Sequence, residues 1–193
     1  MYSRNVSQHN AFPFLDDVIA LADIACASRD PKQTVATLVD GLRVLLEGDP
    51  QLPSFVLAAR PDAYARRELY RSGRHGYQVI AITWAPGQSS GVHDHADQWG
   101  VEAVVRGQLE VVDFEPTAQK ALTRLRPIGH HALKAGDVIG LLPPHDLHAC
   151  RNAGMRDSAV SFHVYGRPLE NVKRFIQVEG DLHRAERARL SSI

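Results

Sequence analysis

Gly87-Gln88-Ser89-Ser90-Gly91-Val92-His93-Asp94-His95-Ala96-Asp97-Gln98-Trp99-Gly100 sets two histidines two residues apart, directly after a loop of glycine and serine. In an extended strand, residues i and i+2 project from the same face. His93 and His95 therefore present two imidazoles side by side, and neutral imidazole is the commonest metal ligand. A lone His-x-His is weak evidence, because a single histidine is more often structural than a ligand. A metal held here needs at least a third ligand from another strand. The segment Pro143-Pro144-His145-Asp146-Leu147-His148-Ala149-Cys150-Arg151-Asn152 offers candidates. If it leads into a strand, His148, Cys150 and Asn152 share one face, while Leu147, Ala149 and Arg151 share the other. His145, close to the Pro-Pro turn, reads as a rim or loop residue.

The rest of the chain suggests what carries these segments. After residue 50, short runs rich in Val, Ile, Leu and Tyr are separated by Gly, Pro and Asp. They fall at 68–70, 77–84, 101–106, 109–114, 121–126, 138–142 and 158–165, with turn signals at Ser72-Gly73, Pro86-Gly87, Arg106-Gly107 and Ala135-Gly136-Asp137. Many short strands with such turns predict an antiparallel sandwich or small barrel. Before residue 50 the period changes. Phe14, Leu15, Val18, Ile19, Ala22 and Ala25 recur at helical spacing, as do Val35, Leu38, Val39, Leu42, Leu45 and Leu46 behind Asp30-Pro31. Such stripes are core packing far more often than binding faces. Residues 1–12 carry no periodic signal and read as surface-wrapping or loosely held. Asp181 to Leu190 is charged and admits a helix. The expected organisation is all-β: a helical appendage over residues 1–49, a barrel with the metal site over 50–178, and a tail over 179–193.

Composition narrows the function classes. Across 193 residues, Lys plus Arg equals Asp plus Glu at 22 each, for a net charge of zero. That argues against a nucleic-acid binder working by bulk charge and against a polybasic membrane anchor. No window approaches the roughly 20 apolar residues of a membrane span, and Asp16, Asp17 and Asp23 interrupt the apolar residues near the N-terminus. With only Cys26 and Cys150, a chain of this size needs no disulfide. The expectation is a cytoplasmic protein with reduced thiols, monomeric or weakly homo-oligomeric.

Three constellations carry a family resemblance. Gly87, five residues and His93-x-His95 resembles the first cupin motif. Gly136, Pro143, His148 and Asn152 resembles the second. Many cupins place a Glu three or four residues after the pair, where this chain has Trp99 and Gly100; Glu102 comes too late and reads as out of phase. That favours three neutral histidines over a four-ligand site. The third constellation is Ser161-Phe162-His163-Val164-Tyr165, whose alternation sets Ser161, His163 and Tyr165 on one face. A polar row on a strand among apolar residues needs partners. Together with Trp84 and a Tyr64-x-Arg66 pair, these motifs over residues 64–165 resemble the thiol dioxygenases, cysteine dioxygenase in particular.

The resemblance implies a cupin, a double-sheet jelly roll, with N-terminal α-helices. It implies Fe(II) on His93, His95 and His148, with L-cysteine bound through thiolate and amine and O2 as co-substrate, giving cysteine sulfinate. Arg66 matches the arginine that holds the substrate carboxylate, a task that suits a planar guanidinium, and Tyr64 assists from the same face. Arg67 is adjacent, and a one-residue gap in the hairpin near Gly73 would exchange the two. Tyr165 implies a hydrogen-bond donor near the metal, oriented by His163 and Ser161. Vertebrate relatives carry, where this chain has Gly100, a cysteine that crosslinks to the tyrosine, so Tyr165 is expected uncrosslinked. The alternatives are the same chemistry on 3-mercaptopropionate or cysteamine, and a non-catalytic metal-binding cupin. A cupin isomerase is disfavoured by the missing Glu.

Overall fold

The computed structural model describes residues 12–193 except Lys120. The reading of residues 1–11 as surface-wrapping lies outside the described residues. Phe12 departs from it: its ring is buried, 5.9 Å from that of Phe162 and 6.5 Å from that of Phe55.

Among the described residues, three helices precede the strands: α1 (Pro13–Ala25), α2 (Pro31–Leu46) and α3 (Ser54–Leu57). Helix α2 starts where the sequence signals it. Asp30 accepts a hydrogen bond from the Lys32 backbone N–H at 3.0 Å, and Pro31 occupies the first turn. Both predicted stripes are core. Phe14, Leu15, Val18, Ala22, Val35, Leu38 and Leu42 are buried in one cluster with residues of the strands. The helices come close enough to the sheet that Gly140 is needed under α2, since a Cβ there would lie 2.5 Å from Val35 Cγ1.

Eleven strands follow among the described residues: β1 (Ala65–Arg71), β2 (Gln78–Trp84), β3 (Val92–His93), β4 (Gly100–Arg106), β5 (Gln108–Gln119), β6 (Leu122–Lys134), β7 (Val138–Leu141), β8 (His148–Arg151), β9 (Ala159–Tyr165), β10 (Asn171–Glu179) and β11 (Leu182–Arg189). They form two sheets. One has the order β1-β2-β9-β4-β7, and the other closes on itself as β10-β11-β6-β5-β8-β3. The paired strands are antiparallel throughout. This is the double-sheet jelly roll of a cupin with helices added at the N-terminal end.

Strands β2 and β9 are buried at every residue, and β4 at every residue but Arg106, because the five-stranded sheet is covered on both sides. Its outer face packs on the helices through Val79, Ala81, Val101, Ala103, Val160, Phe162 and Val164. Its inner face meets the second sheet through Ile80, Ile82, Trp84, Val104 and Tyr165.

Two readings of the sequence need correction. Asp181–Leu190 is not helical: it forms β11, which turns back on β10 at Gly180 (φ 53°) and pairs from Leu182 with Glu179 to Arg189 with Asn171. Its alternation is thin, with only Ala188 and Leu190 packing inward, so charge masked the strand. Strands β5 and β6 also run beyond their apolar stretches, because their outer halves form a ribbon held by ladder hydrogen bonds rather than burial. Among the described residues, no helix is long and apolar enough to cross a membrane.

Candidate metal centre

Strand β3 lies between β8 and β10, and its register sets His93 opposite both His148 and Arg174. His95 follows β3 at the start of a reversal through Ala96 (φ 54°) and Asp97 (φ 56°), a left-handed pair that turns the chain into β4. Two consecutive non-glycine residues in this region are locally costly. Asp94 supports the turn by accepting from the backbone N–H groups of Ala96 (3.3 Å) and Lys173 (2.8 Å).

The three histidines converge. One ligand nitrogen from each lies within 4.8 Å of those of the other two. Ring centroids are 5.1 Å apart for His93 and His95, 5.0 Å for His93 and His148, and 4.8 Å for His95 and His148. His95 and His148 are buried, and His93 is half-buried at the pocket side. Crowding by protein and the neighbouring His95 push His93 down to about 3. Burial, then the other histidines, hold His148 well below the usual imidazole range. His93 and His148 are therefore neutral, as ligation requires.

The set fits a cation on a further ground. His95 Nε2 and His148 Nδ1 are buried with no hydrogen-bond partner among the described residues, and buried polar atoms are otherwise satisfied almost without exception. Asp146 prepares His95 for this role. Its Oδ2 accepts from the His95 backbone N–H at 3.0 Å and lies 3.2 Å from Nδ1. A proton on Nδ1 leaves the Nε2 lone pair directed at the cluster, the carboxylate–histidine arrangement common at metal sites. Burial pushes Asp146 up, but the bonds to His95 outweigh it and its carboxyl sits below the usual range. On His93, Nδ1 lies 3.2 Å from the Gly91 carbonyl, which leaves Nε2 free in the same way. Three imidazoles can hold several transition metals.

A pocket opens over the cluster, lined in part by Tyr64, Arg66, Trp84, Cys150, Tyr165 and Arg174. The polar row of β9 faces it. Trp84 Nε1 donates to Ser161 Oγ at 2.9 Å, Ser161 Oγ lies 2.8 Å from His163 Nε2, and Tyr165 Oη lies 3.0 Å from His163 Nδ1. Burial drives His163 well below the imidazole range and raises Tyr165 well above the phenol range, so both are neutral. The Tyr165 ring stacks 5.7 Å from that of His95. It also packs on Gly100, where a Cβ would lie 2.9 Å from Tyr165 Cδ1 and 3.0 Å from Cε1.

Arg66 and Arg67 separate cleanly. The one register shift in the β1–β2 ladder falls beyond them, between Glu68 and Tyr70. Arg66 is buried and lines the pocket, donating to Ser192 Oγ and, at 2.9 Å, to the Leu169 carbonyl. Arg67 points away, to Thr83 Oγ1 at 3.2 Å and to the Ala58 carbonyl. His145 lies in the exposed turn before β8.

Two groups beneath the pocket escaped the sequence reading. Asp146 gave no signal between His145 and Leu147. Glu102 is out of phase with the motif position, yet it stands two residues after Gly100 on β4 and so shares its inward face. It is fully buried, with its oxygens 3.6 and 3.7 Å from Cys150 Sγ and one of them 3.8 Å from His163 Nε2. Burial raises its carboxyl to about 7. Glu102, His148 and Cys150 thus form a second cluster of potential ligands. The alternation in β4 was the signal that could have found it.

Several known proteins are similar to this chain. A cysteine dioxygenase type 1 from Danio rerio is 26% identical over 143 residues, covering 74% of this chain and 70% of that protein. The Rattus norvegicus cysteine dioxygenase type 1 is 24% identical over 144 residues, covering 74% and 72%. Among solved structures, a Cupin 2 conserved barrel domain protein from Salinispora arenicola superposes with a TM-score of 0.42 at 21% identity, over 60% of this chain and 84% of that one. The family described as cysteine dioxygenase type I matches residues 28–178, and the chain belongs to that family.

Proposed function

We propose that the chain is an Fe(II)-dependent thiol dioxygenase, adding both atoms of O2 to the sulfur of a small thiol that carries a carboxylate. L-Cysteine, giving cysteine sulfinate, is the substrate that the relatives' names indicate. The observation that carries this reading is the convergence of His93, His95 and His148, two of which keep a buried nitrogen without a partner, beneath a pocket that also holds Arg66 and Tyr165. His93, His95 and His148 would hold the iron, which would supply the positive charge that favours a thiolate and a place for thiol and O2 to meet.

The residues of the chain do the rest. Arg66 receives the carboxylate. A guanidinium has five N–H donors, and Ser192 and Leu169 engage one on each terminal nitrogen, which leaves donors for a bidentate bond. The β9 row directs a proton. Ser161 accepts from Trp84, so its own hydroxyl can donate to His163 Nε2. The proton of His163 then sits on Nδ1 and donates to Tyr165 Oη, and the Tyr165 hydroxyl is free to donate into the pocket. Apolar neighbours Ile82, Leu169 and Leu190 limit water around the sulfur.

Oxygen uptake by the Fe(II)-loaded protein tests this with L-cysteine, 3-mercaptopropionate and cysteamine at equal concentration. The expected result is uptake matched by sulfinate, fastest with a carboxylate-bearing thiol, and reduced to background with loss of bound iron in His95→Ala. Absence of uptake with every thiol, or full iron occupancy and turnover in His95→Ala, overturns the proposal.

A further inference from the structure

Cys150 and Glu102 meet between the two sheets, and the proposed reaction uses neither. Cys150 follows His148 by two residues on β8 and shares its inward face. Glu102 reaches them from β4, in the other sheet. All three side chains are buried. Cys150 Sγ lies 3.6 and 3.7 Å from the Glu102 oxygens and 3.7 Å from His148 Nε2. One ligand atom from each of the three lies within 4.8 Å of those of the other two.

These are the separations of atoms that share an ion. A tetrahedral cation with bonds of about 2.3 Å to sulfur and about 2.1 Å to nitrogen or oxygen holds such atoms about 3.5 Å apart. The carboxyl group has no stronger partner. Among the described residues no side-chain N–H or O–H donates to it: His163 Nε2, at 3.8 Å, is out of reach, and a thiol is a weak donor. Charge favours the same occupant. A carboxylate and a thiolate carry two negative charges between them, which a dication cancels, and buried charges need such pairing. Three imidazoles bring no charge to offset a cation. Without a cation, burial and then Glu102 hold the Cys150 thiol well above its usual range. Its proton leaves when metal arrives, by way of the pocket that His148 and Cys150 both line.

We infer that Glu102, His148 and Cys150 form a second metal site, for a thiophilic divalent cation of the zinc class, distinct from the site of three histidines. Thiolate, imidazole and carboxylate together are a zinc donor set, with a softer ligand than the histidines offer. His148 belongs to both sets, and a neutral imidazole has one lone pair. The protein therefore holds one ion or the other, and zinc at the second site takes a ligand from the first. The second site rests on ligand chemistry and not on the thiol dioxygenase reading.

Two measurements on the full chain test this. X-ray absorption of the parent protein with one equivalent of Zn2+ should show sulfur bound to zinc. Zinc held by nitrogen and oxygen alone overturns the inference and leaves Glu102 and Cys150 as a buried acid–thiol pair. Co2+ added to metal-free His95→Ala, which lacks the first site, should still give thiolate-to-metal charge-transfer absorption. Adding Glu102→Gln to that background should weaken Co2+ binding about tenfold or more, and adding Cys150→Ser should abolish the band. Absence of the band in His95→Ala, or equal Co2+ affinity with and without Glu102→Gln, overturns the inference. Zinc–sulfur bonding together with absence of oxygen uptake by the Fe(II)-loaded parent with every thiol supports the second site and overturns the dioxygenase reading alone.

Discussion

Strand β9 has one backbone and two unlike faces. Val160, Phe162 and Val164 point outward into the helices, where Phe162 meets Phe14 at 5.2 Å and Phe12 at 5.9 Å between ring centres. Ser161, His163 and Tyr165 point inward, where each group is defined by the hydrogen bond it makes to the next. On the outer face, stability follows buried area and packing, and many apolar substitutions of equal volume would serve. On the inner face an unpaired group costs about 1–3 kcal/mol, so identity matters at every position. The helices outside let the strands hold a polar row inside without losing the sheet.

Substitutions on the two faces should separate these roles. The largest effect on stability belongs outside. Phe162→Ala should lower unfolding free energy by about 3–5 kcal/mol, read by denaturant titration, while the folded fraction keeps its metal affinity. An equal loss of metal affinity would mean that the two faces are coupled.

Glu102 tests the inner face, where burial raises its carboxyl from 4.5 to about 7. Its folded-state value lies above its unfolded value, so the folded chain favours the protonated acid. Stability of the metal-free protein should fall as pH rises from about 4.5 to about 7 and level off above that. The full shift corresponds to about 3 kcal/mol at most. Glu102→Gln should remove this slope, gaining over the parent at pH 8 but not at pH 4.5. Parallel pH profiles for the two proteins would show that the acid is not its source.

The smallest expected effect lies behind the metal. Asp146→Asn keeps the shape beside His95 but loses the charge that fixes its tautomer. Metal affinity should drop about 10–100-fold, measured by competition with a chelator, with unfolding free energy less affected than in Phe162→Ala. An unchanged affinity would reduce Asp146 to a support for the His95 backbone.

Much of this was legible in the sequence because it rests on period. The helical stripes, the alternation in β9 and the i, i+2 spacing of His93 and His95 each map directly onto a face. Where period is weak, the reading failed. Half of the eight residues of strand β11 are charged, and its pairing with β10 depends on a turn at Gly180 rather than on burial. Asp146 lies in a loop, where no periodicity says which way a side chain points. Glu102 obeyed the alternation but was judged against a motif position instead of against its own strand. Arg174 is legible only through register, since nothing local ties it to His93, 81 positions earlier.

Arg66 and Arg174, which line the pocket over the three histidines, bear on the order in which metal and substrate arrive. A field that draws in an anionic substrate repels a free divalent cation using the same opening. His93, the half-buried member of the three, stands on that side. On the proposed function, the charges that speed substrate capture should slow metal loading, and added salt, which screens both, should shift the two rates in opposite directions. On that reading, a bound divalent cation adds its double positive charge to the arginines, and the pocket that resists the metal becomes still more favourable to the anion that follows.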